Sequence, residues 1–298
     1  MSGNESTLER GLNQSLHRSA RNRSRSRNHE GTTERPARAH SSGLGGAPIV
    51  ALPEPDLRLS QDAEWFLVKR DGEWQQVRFH DYAEIYKVHG LYEKIFYRIL
   101  KCDSPTVVCN ALHAELKREG VSPQTLRVFD CGAGNGMVGE QLKKMGVESV
   151  VGIDILPEAR EAARRDRPSV YLDYFVMDLT AIAAGERQTL SNFRLNCLTC
   201  VAALGFEDIP VAAFAQAASL IEVGGWLAFN IKDEFVRDPA KSEFARLIRV
   251  AFENGVLEQK SSFRYVHRLA TDGKPLEYVT IVARKRGELF SQIPNVTV

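Results

Sequence analysis

The sequence predicts an α/β fold: a doubly wound, mostly parallel seven-stranded sheet with a terminal antiparallel β-hairpin, preceded by a small N-terminal hairpin-and-helix lid. Three observations carry this. From residue 126 onward, short apolar runs alternate with helical stretches, which implies a parallel sheet with helices on both faces. The first run, Leu126 to Asp130, leads into glycines at alternate positions, Gly132, Gly134 and Gly136, and then into a helix. The last two extended stretches face each other across Asp272-Gly273-Lys274-Pro275, a connection too short for a parallel crossover.

The 298 residues are 43% hydrophobic and 26% charged, so a packed core is expected. The net charge of +1 is unevenly placed. Residues 1–46 hold eight arginines against four glutamates, a surplus of +4, which leaves −3 for the remainder. The folded part therefore has no global attraction for nucleic acid. Cys102, Cys109, Cys131, Cys197 and Cys200 are odd in number and follow no apolar leader, which predicts a reduced, cytoplasmic protein. No apolar run approaches the roughly 18 residues that a membrane span needs.

In chain order, residues 1–47 form a basic tail expected to be disordered, because large apolar groups are scarce. Arg21, Arg23, Arg25 and Arg27 also fit a weak electrostatic arm for RNA, while Glu5 and Glu9 argue against a transit peptide. Residues 48–120 begin with a hairpin, Trp65 to Phe79, turning at Asp71-Gly72. Helices are expected over Tyr82 to His89, Leu91 to Leu100 and Ser104 to Glu119. The last has Ser104 as cap and Pro105 in the first turn. The closely spaced Tyr82, Tyr86 and Tyr92 fit either packing against the main domain or a lid over a ligand. Residues 121–298 form the main domain. Strands are expected at 126–130, 149–154, 171–177, 194–201 and 226–231. Helices are expected near 137–145, 157–166, 211–222 and 241–254, with a weaker one near 180–187.

The glycine loop by itself is ambiguous. Gly134, Gly136 and Gly139 fit the dinucleotide spacing, with Asp154 about 20 residues on, and this leaves an NAD(P)-dependent oxidoreductase open. The wider set argues otherwise. Asp130, Asp154 and Asp178 end successive strands, at the sheet edge where open α/β sheets bind ligands. So many carboxylates would repel a pyrophosphate and suit a cationic ligand carrying hydroxyls and an amine.

In Val128-Phe129-Asp130-Cys131-Gly132-Ala133-Gly134-Asn135-Gly136, the tip Gly152-Ile153-Asp154-Ile155, the tip Met177-Asp178-Leu179 and the terminal hairpin, the chain resembles the class I S-adenosylmethionine-dependent methyltransferases. The resemblance covers residues 120–285. It implies S-adenosylmethionine as cofactor, with Asp130 and the backbone of Gly132, Ala133, Gly134 and Gly136 around its methionyl part. It also implies that Asp154 accepts the ribose hydroxyls, that Ile155 packs on the adenine beside Leu179, and that Asp178 takes the adenine amine. Cys200, at the fourth strand tip, is expected to line the same pocket.

Methyl transfer needs alignment more than acid–base help, so no catalytic residue is fixed. Glu207, Asp208 and His89 are the candidates for a base, and Lys232 joins the tyrosines at the substrate rim. The fourth tip lacks the motifs of nucleic-acid methylating enzymes. A small-molecule acceptor is therefore expected, with no membrane and with nucleic acid only through the tail. Cys197 and Cys200 fall on opposite faces of a strand, so they are read as buried thiols and no metal site is expected. A non-catalytic cofactor-binding module stays open, as does an aminopropyltransferase, although Thr199-Cys200-Val201 lacks the acids expected of the latter.

Overall fold

The computed structural model describes residues 38–40, 47–55, 57, 59–204, 208–238 and 242–288. Most of the expected tail, and Glu207, lie outside the described residues. What is described belongs to one compact unit, Pro36–Val298.

Four antiparallel strands form an N-terminal sheet: β1 (Arg38–His40), β2 (Val50–Leu52), β3 (Trp65–Arg70) and β4 (Glu73–Arg78), in that order. Strand β1 falls within the stretch expected as tail and pairs with β2. The β3–β4 turn holds Asp71 at φ 50° and Gly72 at φ 88°, the doubly left-handed turn that Asp-Gly favours. Helix α1 (Tyr82–Tyr86) and a π-helical stretch, Glu93–Ile99, follow. Phe66, Phe79, Ile85, Leu91 and Ile95 give this region its own buried core.

Helix α2 (Ser104–Arg118) was expected with the N-terminal segment but packs on the large sheet. Its Val108, Leu112 and Leu116 share a core with Val128 and Trp226. Ser104, expected as its cap, is instead its first residue. The Ser104 hydroxyl lies 2.7 Å from the Tyr265 hydroxyl and 2.6 Å from His267 Nδ1.

The large sheet holds β5 (Arg127–Cys131), β6 (Ser149–Asp154), β7 (Asp173–Val176), β8 (Cys197–Cys200), β9 (Trp226–Lys232), β10 (Leu257–Leu269) and β11 (Pro275–Lys285). Their spatial order is β10-β11-β9-β8-β5-β6-β7. Strands β5 to β9 pair in parallel, and β11 joins β9 antiparallel. The helices are α3 (Met137–Lys144), α4 (Pro157–Asp166), α5 (Ala184–Ser191), α6 (Val211–Ser219), the short α7 (Asp233–Arg237) and α8 (Glu243–Glu253). The weak helix expected near 180–187 resolves into a 3-10 turn, Leu179–Ala181, followed by α5.

Strand alternation divides the core in two. Phe129, Leu198, Leu227 and Phe229 pack with Phe214 of α6 and Leu247 of α8. Val128, Cys197, Trp226 and Ala228 pack on the opposite face with α2 and α3. Cys197 and Cys200 accordingly belong to different faces, and all five cysteines are buried free thiols. Strand order reverses at β5, between β6 and β8, which opens a crevice beyond their C-terminal ends. Among the described residues no helix is long and apolar enough to cross a membrane.

Candidate active site

The crevice holds a cavity of about 350 Å3, within the usual range for small-molecule sites. Of the residues read from the sequence, Tyr82, Tyr86, Tyr92, Gly132, Asp154, Ile155, Asp178, Leu179 and Asp208 line it. No lysine or arginine does, among the described residues.

Asp154 ends β6 with both carboxylate oxygens engaged. Oδ2 accepts the Gly134 N–H at 3.0 Å and Oδ1 the Leu156 N–H at 3.0 Å. Burial raises its pKa, while those backbone donors pull against the shift. Asp178 accepts the Thr180 N–H at 2.8 Å and its hydroxyl at 2.7 Å, both on Oδ1. Ile155 is 59% exposed at the cavity wall, an apolar surface open to a flat ligand face. An acidic pair, a bare glycine turn and an exposed aliphatic wall fit a cationic nucleoside such as S-adenosylmethionine.

Asp130 departs from its expected place in this cradle. It is 1% exposed and does not line the cavity. Thr199 Oγ1 donates to it at 2.7 Å and the Tyr171 hydroxyl at 2.8 Å, so it braces the floor of the glycine turn. Burial, opposed by those two hydrogen bonds, lifts its pKa to about 6. The charged form is thus disfavoured in the fold. The associated stability is complete below the ordinary carboxylate range and is lost as pH rises through about 6. Relative to Asp130→Asn, the wild type should therefore lose roughly 2 kcal/mol between about pH 4 and pH 7. Denaturant titrations of both proteins across that range check this, and a constant difference would refute it.

Ala133, Gly134 and Gly136 also lie outside the cavity lining. The Tyr174 hydroxyl donates to the Gly134 carbonyl at 2.7 Å. The group nearest the missing Gly134 side chain is the Tyr86 hydroxyl. Cys200 is fully buried, and its neighbours Cys131 and Val201 line the wall instead. Lys232 pairs with Glu234 at 3.0 Å and lies against the Phe235 ring, outside the lining. His89 is 78% exposed and sits 3.6 Å from Asp166, also outside it.

The aromatic segment is fixed over the crevice from several sides. Arg165 Nη1 donates to the Tyr86 carbonyl at 3.0 Å, and Arg70 Nη2 to the Glu84 carbonyl at 3.1 Å. Asn135 Nδ2 donates to Glu93 Oε1 at 2.9 Å, and Arg167 meets the same oxygen at 2.8 Å. The glycine turn and the π-helical stretch are thereby tied together.

Behind Tyr82 and Tyr92 lies an inner chamber of about 30 Å3, which shares those rings, Ala202, Ala203 and Asp208 with the larger cavity. His80, Gln61 and His267 belong to its wall. The sequence reading missed His80. It stands between a strand and a helix, and no local spacing links it to Asp208, 128 residues away.

Strand order, acidic tips and glycine turn together define a Rossmann-like, ligand-binding α/β domain. Residues 129–229 match a family model described as a methyltransferase domain. A ubiquinone biosynthesis O-methyltransferase of Xanthomonas axonopodis pv. citri is 29% identical over 125 residues, covering 41% of this chain and 50% of that protein. Its namesake in Burkholderia multivorans is 31% identical over 106 residues, covering 35% and 43%. The chain thus spans half or less of the length of these relatives. A magnesium protoporphyrin IX methyltransferase structure from Synechocystis PCC 6803 aligns with TM-score 0.42 and 17% identity, over 61% of this chain and 79% of that one. The match to a methyltransferase domain thus lies on the parallel part of the large sheet and the helices between its strands.

Proposed function

We propose that the protein binds S-adenosylmethionine in the larger cavity and moves its methyl group to a small-molecule acceptor. The observation that carries this is the pairing of Asp154 and Asp178 on a cavity wall lacking any lysine or arginine among the described residues. Such a wall disfavours a pyrophosphate and favours a sulfonium. Asp154 would receive the ribose hydroxyls, Ile155 and Leu179 would flank the adenine, and Asp178 would accept its amine. Bound there, the cofactor supplies an electrophilic methyl group. The chain's own part is to align the acceptor and exclude water, a task suited to Tyr82, Tyr86 and Tyr92, since alignment provides much of the rate of such displacements. Residues 48–103 would then act as the lid. The five buried free thiols support a cytoplasmic setting, and the basic tail would be the only route to nucleic acid.

The test is titration of S-adenosylhomocysteine into wild type and Asp154→Ala by calorimetry. The variant should lose about 1–3 kcal/mol of affinity, the penalty for leaving ligand hydroxyls unpaired. Equal affinities would reject the assignment of Asp154.

A further inference from the structure

Along the crevice the strand ends follow the order β7, β6, β5, β8. A cofactor with its adenine at Asp178 and its ribose at Asp154 therefore brings its amino-acid end to the turn after β5. That end carries a carboxylate, which must be met by a cation or by hydrogen-bond donors. No lysine or arginine lines the cavity among the described residues.

The glycine turn has few donors left to offer. The Gly134 N–H is given to Asp154 at 3.0 Å, the Ala133 N–H to the Ile153 carbonyl at 2.9 Å and the Gly136 N–H to the Ala133 carbonyl at 2.9 Å. Met137 and Val138, the first residues of α3, do not line the cavity. Asp130 lies beneath the turn with both oxygens accepting hydrogen bonds from the protein. The cradle expected from the sequence is thus spent on holding its own shape.

Tyr86 stands where a donor is wanted. A Cβ at Gly134 would meet its hydroxyl at 2.5 Å, so the hydroxyl lies against the turn itself. The residue is 7% exposed, and its ring centre is 6.1 Å from that of Tyr82 and 5.3 Å from that of Tyr92. Arg165 Nη1 holds its carbonyl from the other side. Tyr86 lines the cavity, yet its hydroxyl has no hydrogen-bond partner among the described residues. A buried tyrosine hydroxyl ordinarily finds one, because leaving it unpaired costs free energy. Burial, with Tyr92 and Asp154 nearby, holds its pKa well above the ordinary value, so near neutrality it keeps a proton to donate. Tyr82 and Tyr92 also border the inner chamber, whereas Tyr86 does not.

We infer that the Tyr86 hydroxyl donates a hydrogen bond to the carboxylate of the cofactor's amino-acid end, so that a lid side chain, and not the glycine turn, selects for that end. This rests on the cofactor reading above and departs from the placement that the sequence resemblance implies. Because Tyr86 belongs to α1, the same bond fastens the lid over the crevice once the cofactor is in place.

The test compares two ligands by calorimetry on the full chain: S-adenosylhomocysteine and its decarboxylated analogue, which keeps the nucleoside, the sulfur and the amine. Wild type should prefer S-adenosylhomocysteine. Tyr86→Phe, which removes only the hydroxyl, should bind S-adenosylhomocysteine about tenfold to a hundredfold more weakly, the range for a hydrogen bond to a charged group. The same variant should bind the decarboxylated analogue like wild type, which also shows that it is folded. Wild-type affinity of Tyr86→Phe for S-adenosylhomocysteine would overturn the inference, and so would an equal loss for both ligands. Equal affinity of wild type for the two ligands would overturn it without any variant. Failure of wild type to bind either ligand would sink the cofactor assignment itself.

Discussion

Arg268→Met should lower the stability of the folded chain by about 3–5 kcal/mol, the cost of stripping one partner from a buried ion pair. Arg268 is 4% exposed and Glu64 1% exposed. The guanidinium meets Glu64 Oε2 at 2.5 Å and lies 5.2 Å from the centre of the Phe79 ring. The other Glu64 oxygen accepts the Thr271 N–H at 2.6 Å. Methionine would fill much of the volume but leave Glu64 charged and enclosed. Urea unfolding at neutral pH reads the loss. The double variant Glu64→Gln, Arg268→Met should recover a large part of it, because neither member then remains charged and alone. A single-variant loss below about 1 kcal/mol would mean that water reaches the pair.

Gly134→Val should weaken S-adenosylhomocysteine binding by about a hundredfold and cost about 1–3 kcal/mol of stability. Gly134 sits at φ 54°, a conformation that a β-branched residue resists. A Cβ there would stand 2.5 Å from the Tyr86 hydroxyl, so either the turn or the lid must move. A moved turn withdraws the N–H that Gly134 donates to Asp154. Calorimetry and thermal unfolding separate the two effects. Wild-type affinity in a folded Gly134→Val protein would refute the role given to this turn.

What the sequence revealed was local chemistry. Asp71-Gly72 marked its turn because both residues tolerate positive φ. Asp154 and Asp178 were legible because each closes an apolar strand and so must emerge at one edge of a parallel sheet. Asp130 looked the same by that criterion but lies one layer lower, held by Thr199 and Tyr171. The register of β5 against β8, which pairs Asp130 with Thr199, decides this, and register is a tertiary property. His80 with Asp208, and Glu64 with Arg268, are separated by 128 and 204 residues, so no window of sequence contains either pair. Ser104 was misread for a related reason. Its hydroxyl has the chemistry of a helix cap, but a distant tyrosine and histidine claim it.

The shared methyltransferase stretch, residues 129–229, ends before β10 and begins after the N-terminal sheet. Gln61, His80 and His267 all lie outside it. The inner chamber thus takes part of its wall from each flank and the rest from the shared stretch, and Glu64 and Arg268 clasp the two flanks together. Grafting either flank alone onto a relative would strand one of those charges. On the proposed function, only a paired transplant of both flanks should carry acceptor preference with it.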